Sequence, residues 1–151
     1  MRLRRVEATS HNAPAPDDDT MPGKTEIRPT PGGNMAGEPQ DDCLFCKIVA
    51  GTIPATIVRQ TETTVAFRDI NPQAPTHVLI IPKAHHENAA ALAAADPALT
   101  ADVLREAQAV ADEEKLDSYR LVFNTGSGAG QTVWHVHGHV LGGRGLEWPP
   151  G

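Results

Sequence analysis

Three histidines stand at alternate positions in the segment QTVWHVHGHVLGG: His135, His137 and His139, out of seven in a chain of 151 residues. In an extended chain successive side chains point to opposite faces. The three imidazoles therefore share one face at intervals of about 6.6–7 Å, with Val136, Gly138 and Val140 behind them. An apolar core is not usually filled by a row of imidazoles, so chemistry is the better explanation. Two kinds fit. In one, His-x-His chelates a catalytic metal, with a third ligand elsewhere and an open position for water. In the other, one imidazole is a nucleophile at phosphorus, and its neighbours orient it and manage protons. An ordinary histidine pKa of about 6.5 suits either role at neutral pH.

The loop before the row, NTGSGAGQT, holds Gly126, Gly128 and Gly130. Glycine lets a ligand approach the backbone and lets several N–H groups point one way, which makes a neutral cradle for an anion. A tight turn between two strands is an equally good account of the loop alone. Joined to the histidine row, it points to phosphoryl or nucleotidyl transfer. The only cysteines, Cys43 and Cys46, are spaced C-x-x-C. Metal binding, redox chemistry and buried thiols are the readings open to them. A structural disulfide does not suit the cytoplasmic location expected here.

The elements that position these groups begin after a distinctive N-terminal stretch. Residues 1–40 hold six of the thirteen prolines and no Phe, Trp or Tyr. Such a segment buries too little apolar surface to offset its chain entropy, so it is expected to be disordered. Met35 or Met21 is an expected natural start. From 41 to 151 the pattern is that of one domain. CLFCKIVAG predicts a short helix closed by Gly51. TIVRQ and TVAFRDI predict two strands, NPQAPT a loop, and HVLIIP a strand ended by its proline. Asp96 before Pro97 is a helix start, with Leu99, Val103, Ala107 and Val110 forming one apolar stripe. YRLVFN predicts a further strand, and the histidine segment the last, over 133–141. The result is an α+β domain with about five strands in a mainly antiparallel sheet, one long helix and one or two short ones. So narrow a sheet makes pairing with a second subunit plausible.

A formal net charge of −6 argues against a basic groove for nucleic acid or for an anionic membrane surface. No apolar stretch approaches transmembrane length, and the basic N-terminus lacks the apolar stretch of a secretory signal.

HVHGHVL resembles the signature of the histidine triad (HIT) family, in which three histidines alternate with apolar residues. AFRDINPQAPTHVLIIPKAH, YRLVFNTGSGAGQTVWHVHGHVLGGR and the terminal WPPG are similar to its Hint-like branch of nucleoside phosphoramidases, over residues 41–151. The resemblance implies the HIT fold in a homodimer whose sheets join across the interface, and a purine nucleotide or nucleoside phosphoramidate as substrate. It makes His137 the nucleophile at the α-phosphorus, forming a nucleotidyl-histidine that water hydrolyses to a nucleoside monophosphate. His77 would orient His137, and His139 would contact phosphate. Asn124, Gly130, Gln131 and Thr132 match phosphate and ribose contacts. Asp69 and Ile70 match positions near ribose and base, and Phe45 and Ile53 part of the base pocket. Trp148, in the terminal segment, would reach the partner's active-site edge.

No organic cofactor is implied. The zinc-containing members suggest a structural zinc on Cys43, Cys46, His85 and His135, with His86 a neighbouring competitor. Two departures from the pattern stand out. Thr132 occupies a position that often carries serine, and Gly138 replaces a larger apolar residue, which predicts less packing behind the nucleophile.

Overall fold

The structure, a computed structural model, describes residues 36–151, so of the expected disordered segment 1–40 only residues 36–40 are described, and a start at Met21 or Met35 lies outside the described residues. The elements run α1 (Leu44–Val49), β1 (Ile57–Gln60), β2 (Thr64–Arg68), β3 (Thr76–Pro82), α2 (Ala89–Ala95), α3 (Pro97–Glu113), β4 (Tyr119–Phe123) and β5 (Gly138–Gly142), with a 3-10 turn at Ser127–Ala129. The five strands form one sheet in the order β1-β2-β3-β5-β4, and every pairing is antiparallel.

The alternation of β2 and β3 sorts two apolar layers onto opposite faces of the sheet. Ala66, Val78 and Ile80 join Val103, Ala107 and Val110 of α3, together with Val136 and Val140. Val65, Phe67, Leu79 and Ile81 face the other way, toward Cys43, Phe45 and Cys46 around α1. Central β3 is buried along its whole length, which is why HVLIIP is an uninterrupted apolar run.

Each helix begins on a side-chain cap. Asp96 Oδ1 accepts from the Leu99 N–H at 2.9 Å, with Pro97 in the first turn of α3. Asn88 caps α2 by accepting from the Ala91 N–H at 2.9 Å. Cys43 is the cap residue of α1, its Sγ accepting from the Cys46 N–H at 3.4 Å. Ahead of Asp41, Gly37 already pairs with His85 through two backbone hydrogen bonds, of 2.8 and 3.2 Å. Among the described residues no helix is long and apolar enough to cross a membrane.

Two expectations change. The last strand starts at Gly138, so His135 and His137 precede it and only His139 lies on it. The Val136 N–H donates to the His86 carbonyl at 2.7 Å instead of to a neighbouring strand, and that holds the approach out of the ladder. The facing of the three histidines survives, because Val136 and Val140 still pack toward α3. Gly138 does not leave the nucleophile segment unsupported either. A Cβ there would stand 2.9 Å from Phe123 Cζ and 3.0 Å from Leu121 Cδ1, so side chains of β4 fill the space a larger residue would take. Phe123 is Gly138's direct partner across the β4–β5 pair.

Candidate active site

A cavity of about 620 Å³ opens between α1, the segment after it and the start of the histidine strand. Phe45, Ile53, Asp69, Ile70, Gly130, Thr132, His137 and His139, all singled out in the sequence, line it. Asn124 does not line it but stands beside Gly130, where a Cβ would lie 3.8 Å from its Nδ2. Leu44, Phe67, Leu79 and Val133 complete an apolar wall. Sequence patterning marks these four only as apolar, and nothing in it says what they face. Trp148 is 84% exposed and absent from the cavity wall of its own chain.

The tautomers of His137 and His77 are each set by a group that can play only one role in a hydrogen bond, and that of His139 follows from His77. The His135 carbonyl lies 2.8 Å from His137 Nδ1. A carbonyl only accepts, so Nδ1 carries the proton and Nε2 keeps its lone pair. Phe45 packs edge-on against the His137 ring, with centroids 5.0 Å apart. The Gln73 N–H donates to His77 Nδ1 at 3.0 Å, which places the His77 proton on Nε2. That proton faces His139 Nδ1 at 2.9 Å and Asp69 Oδ2 at 3.5 Å. His139 Nδ1 is therefore the acceptor and its proton sits on Nε2, a buried atom with no partner. His77 thus orients His139, while the His135 backbone orients His137. This corrects the expected His77–His137 pairing, and the reason is topological. His77 on β3 and His139 on β5 sit on adjacent antiparallel strands, with His77 opposite Leu141 and Leu79 opposite His139. His137 lies before the strand begins.

Burial dominates the charge state of all these rings. It lowers His77 and His137 below the ordinary histidine range, partly opposed in both by Asp69. It brings His139 down to about 4, helped by His137 and His77 and opposed by Asp69. The rings are neutral at pH 7, as a nucleophile with a free lone pair requires.

The glycine loop acts differently from the expected cradle. The Gly130 and Gln131 N–H groups donate inward, to the carbonyls of Ser127 and Gly126, at 3.0 and 3.1 Å. The Gln131 side chain is also committed. Its Oε1 accepts from the Gly126 N–H at 2.9 Å, and its Nε2 donates to the carbonyls of Glu87 and Val133 at 2.8 and 3.1 Å. Gln131 is a buried brace for the loop, and its side chain is not free to hold a ligand. Gly130 adopts φ +91°, a left-handed conformation that suits glycine at the cavity wall.

His135 belongs elsewhere. Fully buried, it donates from Nε2 to the Pro82 carbonyl at 2.8 Å and turns its bare Nδ1 toward the cysteines. Cys43 Sγ and Cys46 Sγ each lie 3.6 Å from that nitrogen, and Cys46 Sγ lies 3.3 Å from His85 Nδ1. All four residues are buried, and their donor atoms lie within 4.8 Å of one another. Zinc bonds of about 2.3 Å to sulfur and about 2.0–2.1 Å to nitrogen, at the tetrahedral angle, would separate S and N by about 3.6 Å. Donor types and spacings therefore fit a four-coordinate ion. The competitor His86 is outside the group. In the metal-free protein burial pushes the Cys46 thiol up; a bound cation would reverse that by favouring thiolate.

Residues 50–146 match the HIT domain family. The chain is 47% identical over 112 residues to an uncharacterized HIT-like protein of Synechococcus elongatus, an alignment spanning 74% of this chain and 98% of that one. It is 47% identical over 112 residues to a 14 kDa zinc-binding protein of Zea mays, spanning 72% and 87% of the two chains. The crystal structure of a HIT family hydrolase from Legionella pneumophila superposes with a TM-score of 0.70 at 53% identity, covering 73% of this chain and all of that one.

The depressed His139 predicts a stability slope. Its folded value is about 4 against an ordinary 6.5, so between these pH values the unfolded chain binds a proton that the folded one refuses. The contribution is complete above about 6.5 and is lost as pH falls toward 4. Urea unfolding across that window is expected to show stability rising with pH. His139→Gln should flatten the slope by up to one proton's worth, and an unchanged slope would place the titration elsewhere.

Proposed function

The chain belongs to the HIT family, and from that membership and the tautomer pattern of its imidazoles we propose that it is a nucleotide hydrolase acting on purine nucleoside phosphoramidates or related derivatives. One observation carries the reading: the His135 carbonyl holds the Nδ1 proton of His137, leaving the Nε2 lone pair as the nucleophilic site of a ring in the cavity wall. The hydrolase named among the similar structures supports the same reaction class.

The base lies against Phe45, Ile53 and Ile70, with the ribose near Asp69 and Asn124. The phosphate lies toward Gly130, Thr132 and His139, and Trp148 reaches the edge of the partner's site. His137 Nε2 attacks the α-phosphorus, an N–P bond forms to the ring, and the bond to the leaving amine breaks. The amine takes a proton, for which the Thr132 hydroxyl is the candidate donor. His137 becomes a phosphorylated imidazolium whose Nδ1–H remains on the His135 carbonyl, so the new positive charge develops beside a fixed dipole. Water then attacks phosphorus and the N–P bond breaks, the proton shed by the water restoring the Thr132 hydroxyl, so that nucleoside monophosphate and neutral His137 are released. His139 presents Nε2–H to the phosphate oxygens. Arg68, a cation in the cavity wall, is paired with Glu114 at 2.7 Å, so neutral donors carry phosphate recognition.

Catalysis by a metal on the histidine row fits less well. His135 Nδ1 points to Cys43, Cys46 and His85, and His137 Nδ1 is committed to the His135 carbonyl, so the two rings do not converge on one ion. Cys43, Cys46, His85 and His135 would instead hold a structural zinc, the metal in the maize relative's name. With four protein ligands it would cross-link α1 to the histidine segment and would serve a structural, not a catalytic, purpose. The second subunit would join at β4, an edge strand.

Incubation with adenosine phosphoramidate is expected to give AMP, with a nucleotidyl adduct seen by intact-mass analysis under single turnover. His137→Gly should bind nucleotide yet lose activity by about 10⁴-fold; activity retained in that variant rejects the mechanism. Elemental analysis of untagged protein should give about one zinc per chain, absent from Cys43→Ala/Cys46→Ala. Metal-free wild type that unfolds at the same temperature refutes the structural role. Light scattering should report twice the chain mass; a monomer at micromolar concentration would refute the β4 pairing.

A further inference from the structure

Arg144 lies outside the cavity, on the exposed turn after β5. Its Nε donates to the Gln73 carbonyl at 2.9 Å, and its Nη1 donates to the Gly145 carbonyl at 2.9 Å. Gln73 is the residue whose N–H fixes the tautomer of His77. The loop around it is closed by two further bonds: the Asn71 N–H donates to Asp69 Oδ1 at 2.8 Å, and Gln73 Nε2 donates to the Asn71 carbonyl at 3.0 Å. Gly143, at φ +86°, lets the turn sit tightly on that loop, since a Cβ there would come within 3.0 Å of Pro75 Cβ.

The consequence reaches the phosphate. With the Gln73 amide in place, His77 carries its proton on Nε2, His139 accepts it at Nδ1, and His139 holds its own proton on the partnerless Nε2. If the amide moves, His77 is free to protonate Nδ1 and bare its Nε2. The His77–His139 bond then survives only with the proton on His139 Nδ1, so His139 Nε2 loses its hydrogen. An anionic oxygen would meet a lone pair where it had met a donor, at a buried site where an unmade hydrogen bond is costly.

We propose that Arg144 is a positioning residue that acts through Gln73 and His77 to keep His139 a hydrogen-bond donor to the phosphate. The inference rests on the nucleotide-hydrolase reading above, but its first readout does not need turnover. Nitrogen-15 imidazole spectra of the full chain at pH 7 are expected to show His77 and His139 each as a single tautomer protonated at Nε2. In Arg144→Ala both should become tautomer mixtures, and Arg144→Lys, which keeps a donor, should recover much of the single form. For turnover of adenosine phosphoramidate, Arg144→Ala should lower kcat roughly tenfold, the loss of about one charge-assisted hydrogen bond's worth of ordering, with KM within about twofold. A purely structural role would leave the tautomers untouched. Unchanged His77 and His139 spectra in Arg144→Ala overturn the proposal. Spectra that shift in a chain whose wild type hydrolyses no nucleotide derivative support the positioning chain and sink the hydrolase reading alone.

Discussion

The hydrogen bond from His137 Nδ1 to the carbonyl of His135, 2.8 Å long, is the constraint on which the active site depends. It decides which nitrogen of the ring keeps a free lone pair, and it ties that choice to a residue whose side chain is engaged elsewhere. The His135 imidazole lies among Cys43, Cys46 and His85, with its second nitrogen on the Pro82 carbonyl. One residue thus joins the Cys43, Cys46 and His85 cluster to His137, through its side chain on one side and its backbone on the other. Phe45, between the two cysteines in sequence, packs against both His135 and His137 and lines the cavity as well. Any displacement of α1 is felt by the cavity wall and the His137 ring together.

Backbone groups, not charged side chains, order the imidazoles. The Pro82 and His135 carbonyls and the Gln73 amide assign the protons of His135, His137 and His77, and His139 follows from His77. Fixed dipoles need no reorganisation as charge moves, whereas a buried ion would need its own partner. The same logic shows how a chain with a net charge of −6 would address a phosphate under the proposed function. The cation in the cavity wall, Arg68, is paired with Glu114, so recognition would fall to neutral donors such as His139 Nε2.

Sheet order makes this economy possible. Placing β5 between β3 and β4 brings His77 beside His139 and sets Phe123 behind Gly138. Glycine at 138 is then a requirement of close packing, since the rings and methyls of β4 occupy the volume a side chain would need. The loop 126–131 follows the same pattern. Gln131 braces it from inside, and Gly130 shapes the cavity wall while its amide closes the turn.

Periodicity and caps made most of the fold legible in the sequence. The apolar run of β3, the Asp96–Pro97 start of α3 and the common facing of the three histidines all follow from local rules acting over a few residues. The candidate site was legible in its members, because residue type limits chemistry: imidazoles and thiols at these spacings have few uses. Who pairs with whom was not legible. That His77 serves His139, that His137 leans on a carbonyl two residues back and that Gln131 turns inward all depend on strand order and on where β5 begins. Alternation along one strand says which face a side chain takes, but a hydrogen bond across strands depends on register, and register is settled only when both faces of the sheet pack at once.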